Sequence, residues 1–239
     1  MTSDSKPFDG RLALVTGASR GIGAATAEAL ASAGAHVILT ARNGAGLEEV
    51  EERIHAAGGN ATIAPMDLTD GDSIGKLAVA AGERWKKLDI LVLNAAMLGA
   101  LTPVQDIDAK EFARLVSLNL LANQALIAAF DPLLRNSDKA DVVALTSSVG
   151  AEPRAFWGAY GSSKAALETL LGAYADETAF TGKLRVHIVD PGATRTRMRQ
   201  LAFPGEDPES LKPPEAVAEA ILARLQSDAP SGKTVRVEG

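Results

Sequence analysis

Cysteine is absent from the 239-residue sequence. Its absence excludes disulfides, thiolate nucleophiles, cysteine-ligated zinc and iron–sulfur clusters. Three histidines occur, His36, His55 and His187, and their positions show no metal-ligand spacing. We therefore expect no metal site, and the lack of cysteine fits a reducing compartment.

An excess of basic charge and long apolar runs are also missing. The chain carries 24 Lys and Arg residues against 30 Asp and Glu residues, a formal net charge of −6. Bulk attraction to nucleic acids or to anionic membrane surfaces is therefore not expected. No apolar run reaches the roughly 18 residues of a membrane span, and residues 1–8 lack the apolar stretch of a signal peptide. We expect a cytoplasmic protein that binds neither nucleic acid nor membrane.

Hydrophobic residues make up 46% of the chain, as in an ordinary folded domain. Short apolar runs predict strands at residues 12–16, 36–40, 61–66, 89–93, 141–146, 184–189 and 234–237. Helices are predicted at residues 24–33, 48–57, 73–86, 109–134, 159–180 and 214–225. Near-continuous apolar strands separated by helices indicate an α/β fold, a doubly wound three-layer α/β/α sandwich around a mainly parallel seven-stranded sheet.

No linker rich in proline, glycine or serine divides the sequence, so we expect a single domain over residues 1–239. The main break in composition is the Pro- and Gly-containing stretch around residues 203–214. We interpret about residues 195–215 as a substrate loop or lid rather than a domain boundary.

A glycine-rich loop follows the first predicted strand, in the segment Thr16–Gly23. Its glycines at 17, 21 and 23 allow a sharp turn and a close approach of the backbone to a pyrophosphate. The helix behind the loop would present free N–H groups and its positive dipole end to that anion. A tight turn without a ligand is the alternative, because the spacing G-x-x-x-G-x-G is not the G-x-G-x-x-G of the dinucleotide fingerprint.

The choice of cofactor depends on the end of the second strand. Dinucleotide-binding folds that take NAD place an acidic residue about 20 residues beyond the loop, on the ribose 2′-hydroxyl. Here Ala41 and Arg42 stand in that region, and Arg20 lies in the glycine loop. A guanidinium can fork onto a 2′-phosphate, which an acid would repel. NADP(H) is therefore favoured over NAD(H). The alternative interpretation is that Arg20 and Arg42 are two ordinary surface arginines.

Tyr160 and Lys164 carry the most specific chemical signal. Positions i and i+4 share one face of a helix, so the lysine cation is expected near the phenol. That cation would lower the pKa of the phenol, and the pair could then exchange a proton with an alcohol or carbonyl oxygen. Such pairs also occur on ordinary surface helices, so the spacing alone does not decide the matter.

The loop T-G-x-x-x-G-I-G and the later Y-x-x-x-K together resemble the short-chain dehydrogenase/reductase family over about residues 10–200. The resemblance implies a Rossmann-type fold and an NADP(H)-dependent oxidoreductase that interconverts a carbonyl and an alcohol. It also implies a homodimer or homotetramer acting on a small molecule. The alternatives are an NAD-dependent alcohol dehydrogenase of the same family and a non-catalytic dinucleotide-binding regulatory protein.

Carried over by resemblance, the catalytic residues are Asn119, Ser147, Tyr160 and Lys164. Ser147, rather than its neighbour Ser148, would orient the substrate, and the backbone carbonyl of Asn119 would support a water linked to the lysine. Ala96 replaces a glycine of the family pattern. The implied cofactor-binding residues are Gly17, Ser19, Arg20, Gly21, Ile22, Gly23, Arg42, Asp67, Leu68, Asn94, Tyr160, Lys164, Pro191, Gly192, Thr194 and Thr196.

Alternating arginines follow the sixth strand, at positions 195, 197 and 199. They could meet an anionic substrate, although a solvated face is the simpler interpretation. Candidates to line the substrate pocket are Met97, Leu98, Phe156 and Trp157, which could equally be core or interface residues.

Overall fold

The seven predicted strands are all present in a computed structural model, which describes residues 6–238. They form one sheet in the order β3-β2-β1-β4-β5-β6-β7. Every neighbouring pair is parallel, which confirms the doubly wound α/β fold. The strands are β1 (Leu12–Thr16), β2 (His36–Thr40), β3 (Asn60–Ile63), β4 (Ile90–Leu93), β5 (Ala140–Leu145), β6 (Leu184–Asp190) and β7 (Thr234–Arg236).

Helices follow most of the strands and cover both faces of the sheet. They are α1 (Gly21–Ser32), α2 (Gly44–Ala56), α3 (Gly71–Trp85), α4 (Ala109–Val116), α5 (Ala122–Arg135), α6 (Ser148–Ala151), α7 (Gly158–Thr178), α8 (Arg197–Ala202) and α9 (Pro214–Gln226). Four of them begin earlier than predicted, at Gly21 (α1), Gly44 (α2), Gly71 (α3) and Gly158 (α7). Glycine is a poor helix former, but the first turn of a helix has few intrahelical hydrogen bonds to lose.

Side chains of successive strand residues point to opposite faces and build two separate cores. Leu12 and Leu14 of β1 lie in the core beneath α3, α5 and α7, where Phe130 and Leu171 are fully buried. The other face of the sheet packs against α1, α2 and α9 through a second cluster of aliphatic residues. The near-continuous apolar strands that the sequence shows are therefore required, because both faces of the sheet pack against helices.

Helices α4 and α5 run on as one helical stretch, Ala109–Arg135, joined by a π-helical turn at Ser117–Leu121. By length and a mean hydropathy of 1.3 alone, this stretch could cross a membrane. One such helix is weak evidence, because core helices of globular proteins pass the same test. Asn119 and Asn123 are buried within it and donate hydrogen bonds inside the fold.

The strand order reverses between β1 and β4, where the chain crosses from one half of the sheet to the other. Ligands of open α/β sheets bind at the carboxyl ends of the strands beside such a switch point. The loops that leave β1, β4, β5 and β6 meet at this edge, and they carry most of the residues singled out in the sequence.

Candidate active site

The glycine loop closes against Asn94 at the end of β4. Gly17 has a φ of +66°, and a Cβ there would lie 2.8 Å from Asn94 Nδ2. A Cβ on Gly23 would collide with the same amide nitrogen and with the carbonyl oxygen of Gly17. Both positions therefore require glycine, for backbone conformation at Gly17 and for space at both.

Thr16 and Asn94 tie the loop to the neighbouring strand. Asn94 Nδ2 donates to the carbonyl oxygen of Thr16 at 2.8 Å, and the Asn94 N–H donates to Thr16 Oγ1 at 2.9 Å. The Thr16 hydroxyl in turn donates to the carbonyl oxygen of Val92. Asn94 thus ties the end of β4 to the end of β1. Thr16 was not among the predicted site residues, although it directly precedes the first glycine.

Ala96 occupies an ordinary backbone conformation. Among residues 6–238, the non-glycine residues with positive φ are Lys86 and Phe156 alone. The replacement of the family glycine by Ala96 therefore introduces no left-handed strain. The tight position in this loop is Gly99 instead, where φ is +69° and a Cβ would lie 2.7 Å from Leu115 Cδ1.

The amino terminus of α1 has the features of an anion site. Its N-cap residue, Arg20, is extended, and no side chain within residues 6–238 caps the helix. The first turn of α1 also contains no acidic residue. The free N–H groups and the positive end of the helix dipole therefore face the glycine loop, which fits a pyrophosphate.

A basic corner lies beside this loop. Ser19 packs against the start of α2, where a Cβ on Gly46 would lie 3.1 Å from Ser19 Cβ. Arg20 and Arg42 are both exposed, and neither takes part in an ion pair within the described residues 6–238. Arg20 is the N-cap residue of α1, and Arg42 directly precedes the N-cap residue of α2. Unpaired guanidiniums at these two positions fit the extra phosphate of NADP(H).

Asp67 forms a local turn instead of capping a helix. Its Oδ1 accepts hydrogen bonds from the Thr69 N–H at 2.9 Å and the Thr69 hydroxyl at 2.8 Å. These bonds, assisted by the nearby Arg42, hold the pKa of Asp67 below its usual value. The N-cap of α3 is Asp70, so Asp67 does not cap this helix. Leu68 packs its side chain in the core.

Two of the four expected catalytic residues, Ser147 and Tyr160, lie on the wall of one cavity of about 120 Å³. Ser147 and Tyr160 share its wall with Ile22 from the glycine loop, and with Leu98 and Trp157 from the predicted pocket set. Gly192, Thr194 and Thr196 complete the wall after β6, and Pro191 lies there too. The other two residues of the predicted pocket set do not line this cavity. The Phe156 side chain is 56% exposed, and the Met97 N–H donates to Asn119 Oδ1. The cavity wall therefore combines residues that the resemblance assigns to catalysis with residues that it assigns to cofactor binding.

Tyr160 is buried, and burial raises the pKa of its phenol, with a further contribution from the carboxylate of Asp190. The expected lowering by Lys164 is therefore not found. Lys164 Nζ lies 5.7 Å from the centroid of the tyrosine ring and donates to the carbonyl oxygen of Leu145 at 2.8 Å. In this structure the phenol is therefore held protonated at neutral pH.

Lys164 is itself buried, which lowers its pKa to about 8 against the opposing effect of Glu168. Glu168 lies one turn further along α7. One of its carboxylate oxygens accepts a hydrogen bond from the Thr146 hydroxyl, and the other accepts from Thr234 Oγ1 at 3.1 Å. Glu168 was not among the predicted site residues, although its i+4 spacing from the lysine is visible in the sequence.

Asn119 lies in the π-helical turn and connects three parts of the site. Its Oδ1 accepts from the Met97 N–H, and its Nδ2 donates to the Met97 carbonyl oxygen and to Ser163 Oγ. Its backbone carbonyl oxygen accepts a hydrogen bond from Asn123 Nδ2 at 2.8 Å. One lone pair of that oxygen is thus engaged by Asn123, and the water relay through the other stays a prediction.

The segment after β6 is shaped by its own hydrogen bonds. Gly192 has a φ of +62°, and its N–H donates to Asp190 Oδ1 at 2.9 Å. The Thr194 hydroxyl donates to the Pro191 carbonyl oxygen, so it serves the loop itself. Thr196 caps α8 by accepting from the Arg199 N–H, which leaves its hydroxyl hydrogen for a ligand.

The three alternating arginines have different surroundings. Arg195 pairs with Glu209 at 2.6 Å, and Arg197 is exposed. Arg199 alone of the three lies on the cavity wall. The solvated interpretation therefore holds for two of them.

Comparison with known proteins agrees with this architecture. The family described as short chain dehydrogenase matches residues 11–207. The chain belongs to this family. The uncharacterised oxidoreductase YciK of Escherichia coli is 37% identical over 91% of this short chain dehydrogenase and 87% of its own length. The resemblance inferred from the glycine loop and the Tyr160–Lys164 pair is thereby confirmed.

Two similar solved structures contain a dinucleotide. A short chain dehydrogenase of Shigella flexneri in complex with NADP is 35% identical, with a TM-score of 0.93 over 99% of this chain and 100% of its own. One of Escherichia coli in complex with NADPH is 36% identical, with a TM-score of 0.93 over the same shares of the two chains. Both hold the phosphorylated dinucleotide that Ala41 and Arg42 predict here.

Proposed function

We propose that this short chain dehydrogenase is an NADP(H)-dependent oxidoreductase that interconverts a carbonyl and an alcohol on a small molecule. The observation that carries the proposal is the shared cavity, whose wall combines Ser147 and Tyr160 with Ile22 and Thr196. A proton-transferring phenol there lies beside residues expected to bind the cofactor. The NADP and NADPH complexes of two relatives support the choice of cofactor.

Ser147 and Tyr160 act on the reacting oxygen of the substrate. Ser147 lies on the cavity wall, where its hydroxyl would hold that oxygen. Tyr160, protonated at neutral pH, donates its proton to a carbonyl oxygen during reduction and recovers it during alcohol oxidation. Lys164, fixed by the Leu145 carbonyl oxygen, supplies positive charge behind the ring.

The cofactor, when bound, supplies or accepts the hydride. The glycine loop and the amino terminus of α1 would hold its pyrophosphate, and Arg42 with Arg20 its 2′-phosphate. Residues 195–215 act as a lid, because Met198, Arg199 and Ala202 close one side of the cavity. Trp157 lies between Tyr160 and Phe203 of this lid, with ring centroids 6.0 and 5.8 Å away. Closure of the lid would exclude water from the reacting atoms.

Replacing Tyr160 by Phe tests the assignment. We expect Tyr160→Phe to lower NADPH-dependent turnover of ketones by about a hundredfold or more, since a general acid typically contributes 10²–10⁴-fold. NADPH binding, measured by fluorescence titration, should stay unchanged because the ring is retained. Normal turnover in this variant would refute the proposal.

Arg42→Ala is the complementary variant. It should raise the Kd for NADPH about tenfold, leave the Kd for NADH unchanged and preserve turnover at saturating NADPH. An equal effect on both cofactors would favour the NAD-dependent alternative. Tight NADPH binding without turnover of any ketone or alcohol would favour the regulatory alternative. The homo-oligomer and the cytoplasmic location stay predictions.

A further inference from the structure

A second cavity of about 190 Å³ adjoins the catalytic one. The two cavities share the wall residues Ser147, Trp157, Asp190, Gly192 and Arg199. No residue of the glycine loop 16–23 lines this second cavity. Its position therefore separates it from the site expected for the phosphates of the dinucleotide and places it where the remainder of a substrate would extend from Ser147.

Three arginines line the second cavity, Arg154, Arg199 and Arg236, against the single carboxylate of Asp190. They come from three separate elements, namely the loop before α7, helix α8 and the end of β7. Arg236 Nε lies 3.8 Å from the position that a Cβ on Gly192 would occupy. The fold thus collects positive charge at one point of a chain whose net charge is −6.

The arginines differ in what holds them. Arg199 donates two hydrogen bonds of 2.6 Å to Glu206 and stacks over the ring of Phe203 at 3.8 Å. Arg154 and Arg236 are exposed and form no ion pair among residues 6–238. Two guanidinium groups are therefore free to bind a ligand, and a third is held rigidly beside them.

We propose that this cavity binds an anionic group of the substrate, a carboxylate or a phosphate, while the reacting oxygen lies at Ser147 and Tyr160. The inference rests on the proposed function and names the substrate class: small anionic ketones, aldehydes or alcohols. Guanidinium groups match both anions with paired hydrogen bonds. The net negative charge of the protein repels such substrates at long range. The positive charge of the three arginines attracts them locally.

Matched substrates test the inference. Short oxo acids, their methyl esters and the corresponding oxo phosphonates, with the carbonyl two, three or four carbons from the charge, are compared by NADPH oxidation. We expect kcat/KM for the best anion to exceed that for its neutral ester at least tenfold. Preference for the carboxylate or for the phosphonate identifies which of the two anions is bound. Esters used as well as or better than every anion would overturn the inference alone, leaving the proposed function intact.

Substitutions locate the effect. Arg154→Gln and Arg236→Gln should each lower kcat/KM for the anion about tenfold or more and leave kcat/KM for the ester unchanged. Arg53→Gln, which removes the same charge from an exposed pair with Glu28, should change neither. Equal losses for anion and ester, or the same loss in Arg53→Gln, would overturn the inference.

A binding measurement separates the two proposals. Calorimetry compares the NADPH-loaded Tyr160→Phe variant with the double variant that also carries Arg154→Gln. The affinity for the best-binding anion of the series should be about tenfold lower in the double variant. If the wild type turns over no compound but this Arg154-dependent binding is present, the proposed catalysis fails and the anion site stands. If no anion binds and none is preferred in turnover, the anion site is refuted.

Discussion

At the scale of single residues, Glu168 opposes the effect of burial on the pKa of Lys164. Burial lowers the pKa of Lys164 to about 8, and Glu168 opposes that lowering. We expect Glu168→Gln to lower this pKa further, because removal of a nearby negative charge disfavours the ammonium form. The alkaline limb of the pH profile of kcat/KM should then move to lower pH, since the free enzyme loses the lysine charge earlier.

The substitution by glutamine keeps an oxygen that accepts from Thr146, so a purely structural role of Glu168 would leave the alkaline limb in place. Glu177→Gln, an exposed carboxylate further along α7, is the control and should not shift the profile. A shift towards higher pH in Glu168→Gln would contradict the argument.

Local spacing explains which site residues were predictable. Tyr160 and Lys164 lie on one helix, so their proximity follows from four-residue spacing, and Glu168 continues the same series. Arg154 and Arg236 could not be associated from the sequence, because a long stretch of chain separates them and only the fold brings them together. The pKa of Tyr160 was predicted with the wrong sign, since burial outweighs a cation that points to Leu145.

At the scale of elements, the start of α1 depends on Gly23. Gly23→Ala places a methyl group against Asn94 Nδ2 and the Gly17 carbonyl oxygen. We expect a loss of about 1–3 kcal/mol in the free energy of unfolding, as for other overpacked sites, and at least tenfold weaker NADPH binding. Urea unfolding and fluorescence titration measure the two effects.

Gly75→Ala is the matched substitution within a helix. Gly75 lies in α3, and a Cβ there meets no atom within 4 Å. It should raise the free energy of unfolding by about 0.5–1 kcal/mol and leave NADPH binding unchanged. Loss of stability in both variants would show that space at Gly23 is not the cause.

Strand positions were predictable because buried parallel strands are short uninterrupted apolar runs. The predicted third strand was too long, since it ends at Ile63, two residues before Pro65, which has no N–H to donate. The π-helical turn at Ser117–Leu121 left no sequence signal, because its apolar residues also fit a regular helix. The buried hydrogen bonds of Asn119 within this turn become visible only in the folded structure.

At the scale of the whole molecule, a buried ion cluster lies at the amino-terminal ends of the central strands, opposite the active site. Asp141 at the start of β5 contacts Arg11, Arg185 and His187 at 2.7–3.0 Å. Burial raises the pKa of Asp141, but the hydrogen bonds from His187 and Arg11, with the charge of Arg185, outweigh it and leave the pKa lowered. The cluster joins β1, β5 and β6 across long stretches of sequence.

Loss of this carboxylate should destabilise the protein. We expect Asp141→Asn to lower the free energy of unfolding at pH 7 by about 2–3 kcal/mol, because two partly exposed arginines lose their buried counter-ion. The native pKa is lowered, so this stabilisation is present above about pH 4, the unfolded value, and is lost as pH falls through the native pKa.

Urea unfolding at a series of pH values measures the difference in free energy of unfolding between the wild type and Asp141→Asn. This difference should become smaller as the pH falls. Asp138→Asn, an exposed residue of the preceding loop, should stay within about 0.5 kcal/mol of the wild type. A difference for Asp141→Asn that stays constant down to pH 2 would contradict the assignment.

The π-helical turn also bears on how the length of this chain can change. A π-helical turn contains one residue more than the α-helical turn it replaces. Deleting one residue from Ser117–Leu121 would therefore restore a regular helix with little rotation of the helix beyond it, so Leu126 and Phe130 of α5 would stay against the sheet. What the deletion would displace is Asn119, whose side chain joins Met97 to Ser163. Selection against such a change in length would thus come from the site and not from the packing of the core.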